Sequence, residues 1–218
     1  AGTAWLAARG LPLRPADVVP CAGAQAALLA ILLALCAPGQ AVLVEALTFP
    51  GMKAVARQLR LPLHGVPIDD QGVVPEDLDR AARATGATVA VLVPTLHNPT
   101  GAVMSPERRS AVAEVARRHG LWVIEDDVYA ALLDQPPLAT LLPERGVVVT
   151  SLSKTVAAGL RFGDDDAFFT HAGVEQCAAF VHRRADDAAQ NRRGLGLLSR
   201  HGVILKCHLL SLVVCGGP

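Results

Sequence analysis

The sequence has no excess charge of either sign. Lys plus Arg and Asp plus Glu both number 20, so the formal net charge is zero. That balance removes the electrostatic case for a nucleic-acid or membrane-surface partner of this segment. Charged residues are also sparse, at 18% against 51% hydrophobic. A chain of 218 residues with that composition buries a real core and is not disordered over most of its length. No CxxC spacing occurs among Cys21, Cys36, Cys177, Cys207 and Cys215, which argues against a metal site or disulfide framework and for reduced thiols in a cytoplasmic protein. The N-terminus has no basic segment followed by an apolar run, so it does not read as a signal peptide. The apolar run from Ala22 to Ala37 is too short for a membrane span and contains Gln25, which makes it a buried helix. Internal repeats are absent. Ala1 stands in mid-pattern where a start would carry Met, so the chain reads as a piece of a longer protein.

Strand-like and helix-like segments alternate along the rest. Val18–Cys21 is a short apolar run, followed by a helix from Gly23-Ala24-Gln25 to Cys36, stopped by Pro38-Gly39. Strands are expected at 41–45, 63–67, 89–93, 121–124 and 146–150. Helices are expected from Thr48-Phe49-Pro50-Gly51 to about Arg60, at 75–84, and from the Ser105-Pro106-Glu107 start to His119, which Gly120 ends. The strands are continuous apolar runs, as in sheets covered by helices on both faces. The fold class is therefore α/β, a mostly parallel sheet flanked by helices.

Ligands of open α/β sheets bind beyond the carboxyl ends of the strands. Four polar motifs fall there: Gly23-Ala24-Gln25, His97-Asn98-Pro99-Thr100-Gly101, Glu125-Asp126-Asp127-Val128-Tyr129 and Ser151-Leu152-Ser153-Lys154. Together they offer a small-residue turn before a helix, an amide, a carboxylate with a phenol, and a primary amine. A pyridine-ring cofactor bearing an aldehyde and a phosphate needs such a set. The amine takes the aldehyde, a buried carboxylate keeps the ring nitrogen protonated, and a helix N-terminus with hydroxyls and an Arg holds the phosphate. Other readings exist for single residues. Asp127 could replace Asp126, Phe49 could be core filling, Ser153 could be a turn hydroxyl, and His97 fits the core or the site rim.

The segments HNPTG, EDDVYA and SLSKTVAAGLRFG, in that order, resemble class I/II aminotransferases of fold type I. The branch is that of 2-aminoadipate-type aminotransferases and of the aminotransferase-like domain of MocR regulators, which VLVEALTFPG also resembles. The likeness runs from about Trp5 to Gly163. It implies pyridoxal 5′-phosphate as cofactor and a catalytic trio of Lys154, Asp126 and Tyr129. It also implies that Asp126 pairs with the ring nitrogen, that Asn98 and Tyr129 contact the ring hydroxyl, and that Phe49 stacks on the ring where the branch commonly has Tyr. The turn Gly23-Ala24-Gln25, Ser151, Ser153 and Arg161, seven residues after Lys154, would hold the phosphate.

The implied reaction moves an amino group between an amino acid and a 2-oxo acid. The full-length protein would be a homodimer with no membrane attachment. The rival reading is the cofactor-binding sensor of a MocR/GntR-type regulator, which would contact DNA only through an upstream winged-helix domain; a non-functional fragment of either is the third. Residues 1–163 read as an N-terminally truncated cofactor-binding large domain. Residues 164–218 read as a tail, either a divergent helical end or shifted-frame sequence, with the small domain missing or incomplete. No Arg beyond Gly163 sits in a context matching the family's carboxylate clamp.

Overall fold

A computed structural model describes residues 6–21, 23–129, 132–151 and 177–181. Its centre is a seven-stranded sheet. In chain order the strands are β1 (Val18–Cys21), β2 (Val42–Glu45), β3 (Leu63–Val66), β6 (Val89–Leu92), β7 (Trp122–Asp126), β8 (Gly146–Ser151) and β9 (Cys177–Val181). The spatial order is β1-β9-β8-β7-β6-β2-β3. Strands β8, β7, β6, β2 and β3 are parallel neighbours, and β9 runs antiparallel to both β8 and β1. Two antiparallel contacts restore the direction, so the carboxyl end of β1 lies on the same edge as those of the parallel strands. A separate hairpin pairs β4 (Ile68–Asp69) with β5 (Gly72–Val73).

Four helices cover the sheet: α1 (Ala24–Leu35), α2 (Pro50–Leu59), α3 (Pro75–Thr85) and α4 (Pro106–His119). Side chains alternate across a strand, and the core divides accordingly. Val42, Val44, Val89, Val91, Ile124 and Val147 face Leu28 and Leu32 of α1 and Met52 and Val55 of α2. Leu43, Ala90, Leu92 and Val123 face Leu78 of α3 and Val112 and Ala116 of α4. Every residue of β2, β6 and β8 is buried, which is why those strands carry no polar alternation.

Local chemistry sets the helix ends. Helix α4 starts at Ser105, whose hydroxyl accepts from the Arg108 N–H at 3.2 Å, with Pro106 in its first turn. It stops at Gly120, whose φ of 62° is left-handed. Helix α1 contains no charged residue, and its N-cap is Gly23, which offers no side chain to the first amides. No helix of the described residues is long and apolar enough to cross a membrane. Cys21 and Cys36 carry no disulfide.

The expected elements appear within a residue or two of their sequence positions. The hairpin β4–β5, a 3-10 turn at Leu138–Leu141 and strand β9 were not expected. Strand β9 lies within the segment 164–218, where the sequence shows no period. It inserts between β1 and β8, placing Cys21 and Ser151 on either side of Cys177.

Candidate active site

The site is the carboxyl edge of the sheet, where each motif is delivered by its own strand. Strand β1 leads into Gly23, buried, with φ 95° and ψ 160°. That backbone disfavours a side chain, and it aims the first turn of α1 outward with N–H groups that have no acceptor within the helix. Ala24 and Gln25 occupy that turn. Phe49 is the N-cap of α2 and is half-buried against the α1–α2 side of the core. A Cβ at Gly51 would lie 2.6 Å from Gln25 Nε2 and 3.0 Å from the Phe49 ring. A side chain at Gly51 would therefore displace the end of Gln25 and press on the Phe49 ring.

Strand β6 leads into a loop, residues 93–105, that carries Asn98. The loop is closed at its neck by Met104 N–H to Pro94 O, 2.9 Å, and at its tip by His97 N–H to Ala102 O, 2.9 Å. Leu96 sits at φ 53°, a conformation that costs a non-glycine residue energy. Asn98 is half-buried and its peptide bond to Pro99 is cis. Two buried groups hold the loop from below. The Val93 N–H donates to both Glu45 oxygens, at 3.2 and 3.0 Å. His97 Nε2 stands 3.4 Å from Glu45 Oε2, and its Nδ1 is 2.8 Å from Thr100 Oγ1. His97 is therefore a core histidine behind the loop.

Strand β7 resolves the acidic triplet by alternation. Glu125 points toward the α3–α4 side, accepting from the Leu138 and Ala139 N–H groups at 3.0 Å each. Asp127, just beyond the strand, is paired with Arg9. Asp126 is 5% exposed, and its Oδ1 has no hydrogen-bond partner among the described residues. Burial pushes the Asp126 carboxyl up to about 7; the Val128 N–H opposes that rise, and the charges of Asp127 and Glu45 add to it. Burial, then the Asp127 charge, likewise pushes Glu125 up to about 7, against the Ala139 and Leu138 N–H groups and Arg109. Of the two aspartates that could serve the site, Asp127 is already committed to an arginine. Each keeps one buried oxygen without a hydrogen bond, and Asp126 has no cationic side chain paired with it among the described residues. Tyr129 is half-buried three residues on, and Ser151 is buried at the end of β8.

The structure thus brings Gly23, Ala24, Gln25, Phe49, Asn98, Asp126, Tyr129 and Ser151 to one sheet edge. Ser153, Lys154 and Arg161 lie outside the described residues. Sequence reading missed Arg109, whose guanidinium is buried beneath this edge, and the pairing of Arg9 with Asp127. Alternation along β7 would have separated Glu125 from Asp126. Nothing in the run Arg108-Arg109 distinguishes the buried arginine from its half-buried neighbour. No cluster able to hold a metal ion occurs among the described residues.

An orphaned buried carboxylate oxygen is the partner a cationic ring N–H requires, and an uncapped helix start behind a left-handed glycine suits a phosphate. The residues present therefore fit pyridoxal phosphate. This combination of fold and edge defines the large domain of the pyridoxal-phosphate-dependent transferases. The solved archaeal alanine:glyoxylate aminotransferase superposes with a TM-score of 0.70 at 26% identity, over 84% of this chain and 44% of that one. The chain belongs to the aminotransferase class I and II family, whose model matches residues 3–185. Among its relatives are the aminotransferase swnA of Metarhizium robertsii, 36% identical over 67% of this chain and 33% of that protein, and the HTH-type transcriptional regulator YdeF of Bacillus subtilis, 37% identical over 64% of this chain and 30% of that protein. The chain spans about a third of the length of these curated relatives.

Proposed function

We propose that this chain is the cofactor-binding part of a pyridoxal 5′-phosphate-dependent aminotransferase that moves an amino group between an amino acid and a 2-oxo acid. The observation that carries the reading is Asp126: a buried carboxyl with one unused oxygen, at the edge where the Gly23 turn and the Asn98 loop also open. Bound there, the cofactor supplies an electron sink that makes the substrate α-proton acidic. Asp126 keeps the ring nitrogen protonated, because an adjacent opposite charge favours the charged form of each partner. Asn98 and Tyr129 would hold the ring hydroxyl oxygen, and Phe49 would pack on the ring. The first-turn amides of α1, with Ser151, Ser153 and Arg161, hold the phosphate. Lys154 Nζ would hold the aldehyde and, when free, would carry the proton at the substrate α-carbon. The full-length protein is read as a cytoplasmic homodimer.

The test is a titration of the purified protein with pyridoxal phosphate, followed by absorbance. A near-ultraviolet or visible band that forms with wild type and is lost in Lys154→Ala supports the reading. An unchanged band in Lys154→Ala overturns it. The likeness to YdeF favours a second reading, a cofactor-binding sensor joined to a DNA-binding domain. Adding an amino acid separates the two in the full-length protein. Release of a 2-oxo acid marks the enzyme, and cofactor-dependent DNA binding without release marks the sensor.

A further inference from the structure

Arg109 is the fourth residue of α4, 5% exposed, and it bonds to two different loops of the candidate site. On the Asn98 loop, Nη2 donates to Thr95 Oγ1 at 2.6 Å and Pro94 O at 3.2 Å, and Nε donates to Met104 O at 3.2 Å. These acceptors lie on both limbs of the loop's neck. On the loop after β7, which carries Tyr129, Nη2 donates to Gln135 Oε1 at 3.1 Å and Nη1 to Pro136 O at 3.3 Å. Glu125 Oε1 stands 3.7 Å from Nη1, and the same carboxylate holds the Leu138 and Ala139 N–H groups where that second loop ends. Burial lowers the proton affinity of Arg109, and the charges of Glu125 and Asp127 oppose that fall.

Packing alone does not call for an arginine here. Its neighbour Arg108 pairs with Asp69 near the surface at 2.6 Å. A methionine or leucine at 109 would fill the space, but it would leave Glu125 and the acceptors of two loops without their donor. A guanidinium brings a flat fork of donors that fixes the angle and separation of everything it bonds. We propose that Arg109 is a positioning residue: it sets the spacing between the Asn98 loop and the Tyr129 loop, and thereby the grip of those two side chains on the ring hydroxyl of the cofactor. The proposal rests on the cofactor reading above.

The experiment measures pyridoxal phosphate affinity by absorbance titration for wild type, Arg109→Lys, Thr95→Val, Asn98→Ala and the double variant Arg109→Lys/Asn98→Ala. Far-ultraviolet circular dichroism checks each fold. Arg109→Lys keeps the charge and loses the fork. It is expected to weaken affinity roughly tenfold and to shift the pH midpoint of the bound cofactor's spectrum, because the ring hydroxyl loses its aligned donors. The double variant is expected to bind more weakly than Asn98→Ala alone, but by less than the product of the two single losses, since the changes share the Asn98 part of the grip. Thr95→Val removes one acceptor and keeps the shape, and a loss in the same direction is expected; it decides the matter should Arg109→Lys not fold. Wild-type affinity and pH midpoint in a folded Arg109→Lys overturn the proposal, as do losses that simply multiply in the double variant. A wild-type protein that shows no Lys154-dependent band overturns the cofactor reading itself, and the role of Arg109 with it.

Discussion

At the scale of the residue, Asp126 carries the account. A carboxyl buried with an unused oxygen is costly once ionised. Its folded-state pKa of about 7 lies above the ordinary 3.8, so the folded protein binds its proton more tightly than the unfolded chain does. The associated stability is complete below pH 4 and is lost as pH rises through about 7. Glu125 titrates in the same direction and over a similar range. Cofactor-free protein should therefore melt at falling temperatures between about pH 4 and pH 7, and Asp126→Asn should flatten part of that slope in thermal scans. A slope unchanged in Asp126→Asn would contradict the burial described. With cofactor and substrate, Asp126→Asn should still admit the cofactor and lose most α-proton transfer, on the order of a hundredfold or more in rate. Full activity would remove the electron-sink role. The sequence made Asp126 a candidate beside Asp127. What it could not supply was Arg9, more than a hundred residues away, whose contact pairs Asp127 and leaves Asp126 without a paired cation among the described residues.

At the scale of the element, the start of α1 and the start of α2 are coupled through Gly51. Gly51→Ala would put a methyl carbon 2.6 Å from Gln25 Nε2 and 3.0 Å from the Phe49 ring. The exposed end of Gln25 can swing away at little cost, so the Phe49 ring is the part that must give. Pyridoxal phosphate affinity should fall roughly tenfold if Phe49 stacks on the ring, and stay unchanged in the titration if Phe49 is core filling. The cap of α4 gives a control for stability without ligand contact: Ser105→Ala should cost about 1 kcal/mol in urea unfolding. Most elements were legible because their signals are local, such as continuous apolar runs, Ser-Pro-Glu before α4 and Gly120 after it. The β4–β5 hairpin was not, since two-residue strands have no period to read. Arg109 was not legible either. In Pro106-Glu107-Arg108-Arg109 every side chain reads as solvent-facing, and only the arrival of loops from β6 and β7 makes one of them a core residue.

At the scale of the whole molecule, β9 links the two halves of the site. It joins β1, which delivers the Gly23 turn, to β8, which delivers Ser151. A chain ending at Gly163 lacks β9 and exposes the edges of both neighbours, each a template for unwanted pairing. That shortened chain should aggregate, or bind pyridoxal phosphate much more weakly than the 218-residue chain, by light scattering and titration. A monomeric shortened chain with undiminished affinity would contradict the role given to β9. The strand itself was invisible in the sequence because Cys177–Val181 sits in a stretch without a helical or strand period. The sheet's need for an antiparallel filler between β1 and β8 appears only once the other strands are in place.

The central claim is that one cofactor sits at this edge, held by Lys154 against Asp126. Borohydride reduction fixes pyridoxal phosphate to the amine that carries it, and peptide mass spectrometry then locates the label. The account predicts a single labelled peptide bearing Lys154. Label on another lysine, or none after saturation with cofactor, would contradict it.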